Sequence, residues 1–297
     1  MKIGVCGTGR MGSALAQRLL SVGREVTVWN RDAAKTRPLV KAGANHAISP
    51  AELVAGCDTV IVMLLNDEAL ESVYRGPGGL LLAGLDGKQI IDMSTVLPET
   101  MSAIGDAVVA AGGGFVECPV GGTVGPAREG KLLGLAGGSA EDFARARPVL
   151  EQLCRRLEHV GGRGAGATMK LAVNLPLLVY LQALGEALAI CKPLNLPAER
   201  LIDILSDTSG TPNAMKMRGP DIARLLGGGE RSPTYFSVSG GLKDLTTAVS
   251  YAMTLDTELP VAASAAACFA EAEAAGLGDQ DVISTVPVHW ATRNANR

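Results

Sequence analysis

The chain has 297 residues, 47% hydrophobic and 19% charged, with a net charge of −3. That length allows one large or two ordinary domains with real cores, and the charge excludes the basic excess expected of a nucleic-acid partner or of a membrane-surface segment. Six cysteines without close pairs and three scattered histidines predict a reduced, cytoplasmic protein with no disulfide framework and no metal site.

The first half alternates short β-branched runs with amphipathic stretches. Strands are predicted at KIGVC (2–6), EVTVW (25–29), HAI (46–48), TVIVML (59–64), QIIDM (89–93), FVEC (115–118), LLGLA (132–136) and LEHV (157–160). Helical patterns such as SALAQRLLSVG (13–23) and EDFARARPVLEQLC (141–154) lie between them, the latter opened by Ser139 as N-cap with Asp142 three residues on. The alternation predicts an α/β fold, a doubly wound, mostly parallel sheet of Rossmann type over residues 1–163. From about 164 the pattern turns all-helical, with runs at 167–191, 197–207, 213–226, 240–254 and 260–275, so 164–297 is predicted as an all-α domain for substrate binding and oligomerisation. The apolar segment 171–190 is long enough to span a bilayer. It carries Asn174, Pro176, Gln182 and Glu186, which favour a buried helix entered near Thr168 and kinked at Pro176. The chain ends in a polar TRNANR.

GTGRMG (7–12) follows the first strand and opens a helix, the setting of a dinucleotide site. Gly7 permits the tight turn, Gly9 lets a pyrophosphate approach the backbone, and Gly12 allows close helix–strand packing. Thr8, Arg10 and Met11 complete a loop whose N–H groups sit at a helix N-terminus. The second strand ends VWNRD, with Asn30 and Arg31 where an NAD site has an acid that holds the ribose. Arg31, with Lys35 one turn on, suits a 2′-phosphate. NADP(H) is the preferred cofactor on this reading, with NAD(H) as the other option if Arg31 is a solvated turn residue and Asp32 a displaced ribose acid.

Further motifs follow in order: Asp92-Met93-Ser94-Thr95, PVGGTVGPAREGKL (119–132), GAGATMKLAVN (164–174) and GLKDL (241–245). Together they resemble the β-hydroxyacid dehydrogenase family, which includes enzymes that reduce small semialdehydes, over essentially the whole chain. The resemblance implies that Lys170 is the catalytic proton donor and Asn174 its motif partner. It implies that Met63, Leu64 and Leu65 lie along the cofactor, and that Thr95 and Lys243 contact it. It assigns Ser94, Gly121, Gly122 and Thr123 to the substrate. The residues agree in part: Lys170 and Asn174 are one turn apart on one helix face, and a lysine near a helix N-terminus has its ammonium disfavoured. Snorkelling of Lys170 is the plain alternative, as ion pairing to Asp244 is for Lys243.

One departure matters for substrate. Relatives commonly read D-A-P-V-S-G-G where this chain has ECPVGGT, so Gly121 replaces a serine that helps hold the substrate's acid group. A glycine there also occurs in the sulfolactaldehyde-reducing branch. The expected activity is interconversion of a small anionic aldehyde and its hydroxy acid, in a homodimer or homotetramer with neither nucleic-acid nor membrane partners. Two alternatives stay open: an imine reductase on the same scaffold, which commonly lacks the lysine, and a non-catalytic NADP(H)-binding module.

Overall fold

The computed structural model describes residues 1–293, so Asn294–Arg297 of the polar end lie outside the described residues. Two compact units divide the chain, Met1–Leu171 and Ala172–Arg297.

The first unit holds one sheet of β1 (Lys2–Cys6), β2 (Glu25–Trp29), β3 (Asn45–His46), β4 (Thr59–Val62), β5 (Gln89–Asp92), β6 (Gly114–Glu117), β7 (Val120–Gly121), β8 (Leu132–Gly138) and β9 (Cys154–Gly161). The strand order is β3-β2-β1-β4-β5-β6-β8-β7, with β9 paired to β8. From β3 to β6 every pairing is parallel, β8 runs antiparallel to β6, and β9 parallel to β8. This is the doubly wound order with its switch point beside β1. The helices are α1 (Arg10–Ser21), α2 (Arg37–Lys41), α3 (Pro50–Ala55), α4 (Asp67–Arg75), α5 (Pro98–Ala110), α6 (Val124–Glu129) and α7 (Ala140–Leu153).

Alternate residues of the central strands feed two separate cores, as a sheet covered on both faces requires. Ile3, Val5, Ile61, Ile91 and Val116 belong to one, and Val60, Val62, Ile90 and Phe115 to the other. Ser139 caps α7 as its spacing predicts, accepting from the Asp142 N–H at 3.1 Å. β3 and β9 differ from their predicted extents. β3 is only two residues of edge strand, whereas β9 starts at Cys154, directly at the end of α7 with no loop between.

The chain passes into the second unit along α8 (Ala165–Ile190), followed by α9 (Ala198–Ser206), α10 (Asn213–Leu226), α11 (Val238–Thr254), α12 (Pro260–Ala272) and α13 (Val282–Thr292). Two differences from the sequence reading arise here. α8 starts at Ala165, before Thr168, directly after Gly164 with its positive φ of 89°. Pro176 lies inside the helix. And α8 is not a buried rod. By length and composition it is apolar enough to cross a membrane, yet only 33% of its most apolar window is buried. Leu178, Leu181, Leu184 and Leu188 recur at helical spacing in the second unit's core, while Val173 and Ile190 stay exposed. α13 escaped prediction because VISTVPVHWAT is apolar on nearly every face and carries Pro287, leaving no amphipathic period to read.

Candidate active site

The glycine turn is built as its spacing predicts. Gly7 has φ +94°, and a Cβ there would lie 2.3 Å from the Met63 carbonyl oxygen; a Cβ on Gly12 would lie 1.9 Å from the Gly7 oxygen. Neither position accepts a side chain. Gly9 differs, since a Cβ there would meet nothing within 4 Å. As N-cap of α1 it offers no side chain to the helix, so the first-turn amides of Arg10, Met11 and Gly12 start behind an open backbone. Thr8 Oγ1 is buried without a hydrogen-bond partner among the described residues. An open cradle at a helix N-terminus with an orphaned hydroxyl suits the phosphates of a dinucleotide.

A cleft of about 440 Å³ opens beside this turn, lined by Gly7, Gly9, Asn30, Arg31, Lys35, Met63, Leu64 and Leu65. Sequence reasoning thus named most of its wall. It missed Pro50, Val73 and Pro77 because these come from segments without a motif, and it passed over Trp29 inside VWNRD. Asn30 is a buttress: its Oδ1 accepts the Thr8 N–H at 3.0 Å and its Nδ2 donates to the Asp32 carbonyl at 3.0 Å. Asp32 is engaged as well, its carboxylate accepting the Ala34 N–H at 3.0 Å to cap a single 3₁₀ turn. Arg31 and Lys35 are exposed at the cleft.

Ser94 departs from the expected substrate role. It is fully buried, its Oγ accepts the Leu64 N–H at 3.0 Å, and its own N–H donates to Asp92 Oδ1 at 2.9 Å. The serine therefore ties the Met63–Leu65 wall of the cleft to the end of β5. Asp92 in turn accepts from the Tyr74 hydroxyl at 2.9 Å. Burial raises its pKa to about 6, against the lowering by the Ser94 and Tyr74 hydrogen bonds. Thr95, next in line, is half-buried.

Gly121, Gly122 and Thr123 form the turn between β7 and α6. Gly122 has φ +121° and tolerates no side chain, but a Cβ on Gly121 would meet only Leu133, at an ordinary 3.5 Å. The fold leaves room for the serine that relatives carry. Gly121→Ser is therefore expected to fold with an unchanged melting temperature.

Lys170 is 8% exposed, which removes the snorkelling alternative. As the sixth residue of α8 it stands beyond the first turn, where the helix dipole acts most strongly, so that source of destabilisation is weaker than the sequence suggested. Asn174 follows one turn later, and its Nδ2 donates to Asp244 Oδ2 at 2.6 Å. Asp244, 5% exposed, also pairs with Lys243 at 2.7 Å. The ion pair that offered a plain account of Lys243 exists, but it is mostly buried and shares its carboxylate with the motif asparagine.

Glu117, at the end of β6 and paired in register with Asp92, is a second buried acid that sequence reasoning passed over. Its Oε1 accepts the Gly166 N–H at 2.8 Å. Burial, more than Asp92's charge, lifts its pKa to about 7, against the lowering by backbone amides of α8. A raised acid stabilises the fold below its unfolded value of 4.5 and loses that contribution as pH rises through 7. Glu117→Gln, which stays neutral, is expected to gain on the order of 2 kcal/mol relative to the parent between pH 5 and pH 8. Thermal melts across that range check it, and a pH-independent difference would refute it.

Comparison with known proteins places these features. Residues 2–161 match the family model for the NAD-binding domain of 6-phosphogluconate dehydrogenase, and 164–289 match that for the NAD-binding region of NADP-dependent 3-hydroxyisobutyrate dehydrogenase. Glyoxylate/succinic semialdehyde reductase 1 of Arabidopsis thaliana is 36% identical over 96% of this chain and 97% of its own length. The 3-sulfolactaldehyde reductase of Escherichia coli strain K12 is 34% identical over 94% and 92%. A solved structure, Psf3 in complex with NADP+ and 2-OPP, superposes with a TM-score of 0.85 at 26% identity, covering 98% of this chain and 99% of its own. With a glycine cradle for a nicotinamide dinucleotide and full-length kinship to such reductases, the chain belongs to the β-hydroxyacid dehydrogenase family of NAD(P)-dependent oxidoreductases acting on hydroxy acids and semialdehydes.

Proposed function

We propose that the protein is an NADPH-dependent reductase of small anionic aldehydes, reversible to hydroxy-acid oxidation, with Lys170 as the proton donor. The observation that carries this reading is the burial of Lys170, at 8% exposure, in the compact unit that also holds the dinucleotide cleft. When bound, the nicotinamide supplies the hydride in reduction and accepts it in oxidation. Lys170 donates its proton to the carbonyl oxygen as negative charge develops there, and takes one from the hydroxyl in the reverse direction. The amides of the Gly121–Thr123 turn would hold the substrate's anionic group.

Preference for NADP(H) is supported by where the polar groups beside the cleft are spent. Asp32 caps its own turn through one carboxylate oxygen and Asn30 braces Thr8, while Arg31 and Lys35 stand exposed at the cleft. Arg31→Ala is expected to raise the KM for NADPH by about 10–100-fold and that for NADH by less than threefold. Equal loss with both cofactors would contradict the assignment.

The absence of a hydroxyl at Gly121 favours a substrate whose anion is held by backbone amides. The turnover of glyoxylate, succinic semialdehyde, sulfolactaldehyde and a cyclic imine with NADPH, measured side by side, tests the class. Reduction of an anionic aldehyde at least tenfold faster than the imine is expected, and the reverse order would move the protein to imine chemistry. Gly121→Ser should then lower the KM for carboxylate aldehydes relative to the sulfonate. We further propose a homodimer or homotetramer in the cytoplasm. Exposed Ile190, Met217 and Met253 support assembly, and six free thiols support a reducing compartment. Light scattering of the purified protein tests the first point, with a monomer contradicting it.

A further inference from the structure

The first turn of a helix leaves backbone N–H groups that need partners from outside it. In α8, the Ala165 N–H donates to the Gly162 carbonyl and the Thr168 N–H to that of Gly164. The Gly166 N–H goes elsewhere, to a carboxylate 49 residues away at the end of β6. The slot holding that carboxylate is cut from two glycines. A Cβ on Gly137 would lie 2.2 Å from Glu117 Oε1 and 2.9 Å from the Gly166 nitrogen. A Cβ on Gly166 would lie 3.2 Å from Glu117 Cγ and 2.4 Å from the Leu135 oxygen. The acid thus bars a side chain at Gly137 on β8, while at Gly166, in the GAGATMK stretch, the Leu135 carbonyl does so first and the acid's stem adds a tight contact. Gly166 is one helical turn before Lys170, so what grips Gly166 sets the axial position and rotation of the turn that bears the lysine.

We propose that Glu117 is a positioning residue: from the end of β6 it clamps the first turn of α8 and so holds Lys170 in place for proton transfer. This rests on the reading of Lys170 as the proton donor. The clamp needs an acceptor and a side chain that fills the slot, and it does not need a charge. Oε2 of Glu117 is buried without a hydrogen-bond partner among the described residues.

Two substitutions in the full-length protein separate these properties. Glu117→Met fills the slot without an acceptor, and Glu117→Gln keeps both shape and acceptor. With NADPH and succinic semialdehyde or glyoxylate, the Met variant is expected to lose 10- to 100-fold in kcat. Its KM and its NADPH Kd should stay within threefold of the parent. The Gln variant should stay within threefold in all three. Amide hydrogen exchange over residues 164–170 gives a second readout, independent of activity: at least tenfold faster in Glu117→Met and unchanged in Glu117→Gln. Unchanged exchange in the Met variant overturns the clamp, as does a Gln variant impaired more than tenfold in kcat, which decides the matter even if the Met variant does not fold. If Lys170 itself proves dispensable, the exchange measurement still tests the clamp while the catalytic reading fails separately.

Discussion

Replacing Lys170 with Met is expected to lower kcat by about 10³-fold while the Kd for NADPH stays within threefold. The side chain is 8% exposed, and Met fills nearly the same volume, so the substitution removes the ammonium with little disturbance of packing. A proton donor at the carbonyl oxygen acts as charge appears there, so its loss falls on the chemical step and spares cofactor binding. Steady-state rates and a fluorescence titration with NADPH separate the two. A variant that turns over within tenfold of the parent would remove Lys170 from the chemistry.

The second large effect lies in the glycine turn, where two substitutions of the same kind are expected to fail differently. Gly12→Ala drives a Cβ to within 1.9 Å of the Gly7 carbonyl oxygen, a contact that only backbone movement relieves. It should destabilise the fold by about 3 kcal/mol, seen as a lower denaturant midpoint, and weaken NADPH binding through the displaced turn. Gly9→Ala meets nothing within 4 Å and should leave stability unchanged. Its methyl occupies the side from which a phosphate approaches, so NADPH binding should weaken by about 10–100-fold. A stable Gly12→Ala variant with normal affinity would show that the turn is more pliant than its contacts indicate.

These contrasts also show what could be read from the chain before folding. The tight turn at Gly7 and the close packing at Gly12 were legible because each depends on local geometry: a positive φ, a strand on one side and a helix on the other. The place of Arg31 and Lys35 beside the cleft was legible from their position after β2. Asn30 was assigned to the cofactor as well, yet its amide is spent on Thr8 and Asp32, an arrangement that spacing alone does not disclose. Ser94 shows the same limit more sharply. Its motif suggested substrate, while the folded chain uses its hydroxyl to hold Leu64, 30 residues away. Glu117 and Gly166 are 49 residues apart and Asn174 and Asp244 are 70 apart, so neither pair carries a periodic or motif signal across the gap. What could have pointed to Glu117 and Asp92 is that both are acids closing strands after an apolar pair, GFVE and QIID. An unpaired carboxylate is costly in such a place, so each asks for a donor. The extent of α8's burial was overread because apolar composition was taken for coverage, while its core leucines line one side and exposed Ile190 lies on the opposite one.

The central claim, reduction of an anionic aldehyde at the expense of NADPH with the proton from Lys170, is tested most directly by product stoichiometry. Purified parent protein and the Lys170→Met variant are incubated with NADPH and succinic semialdehyde, and the hydroxy acid is quantified by mass spectrometry against NADPH consumed. The account predicts one hydroxy acid per NADPH with the parent, and product formation slowed by about 10³-fold in the variant. NADPH bound but no hydroxy acid formed by the parent from this aldehyde, glyoxylate or sulfolactaldehyde would contradict it.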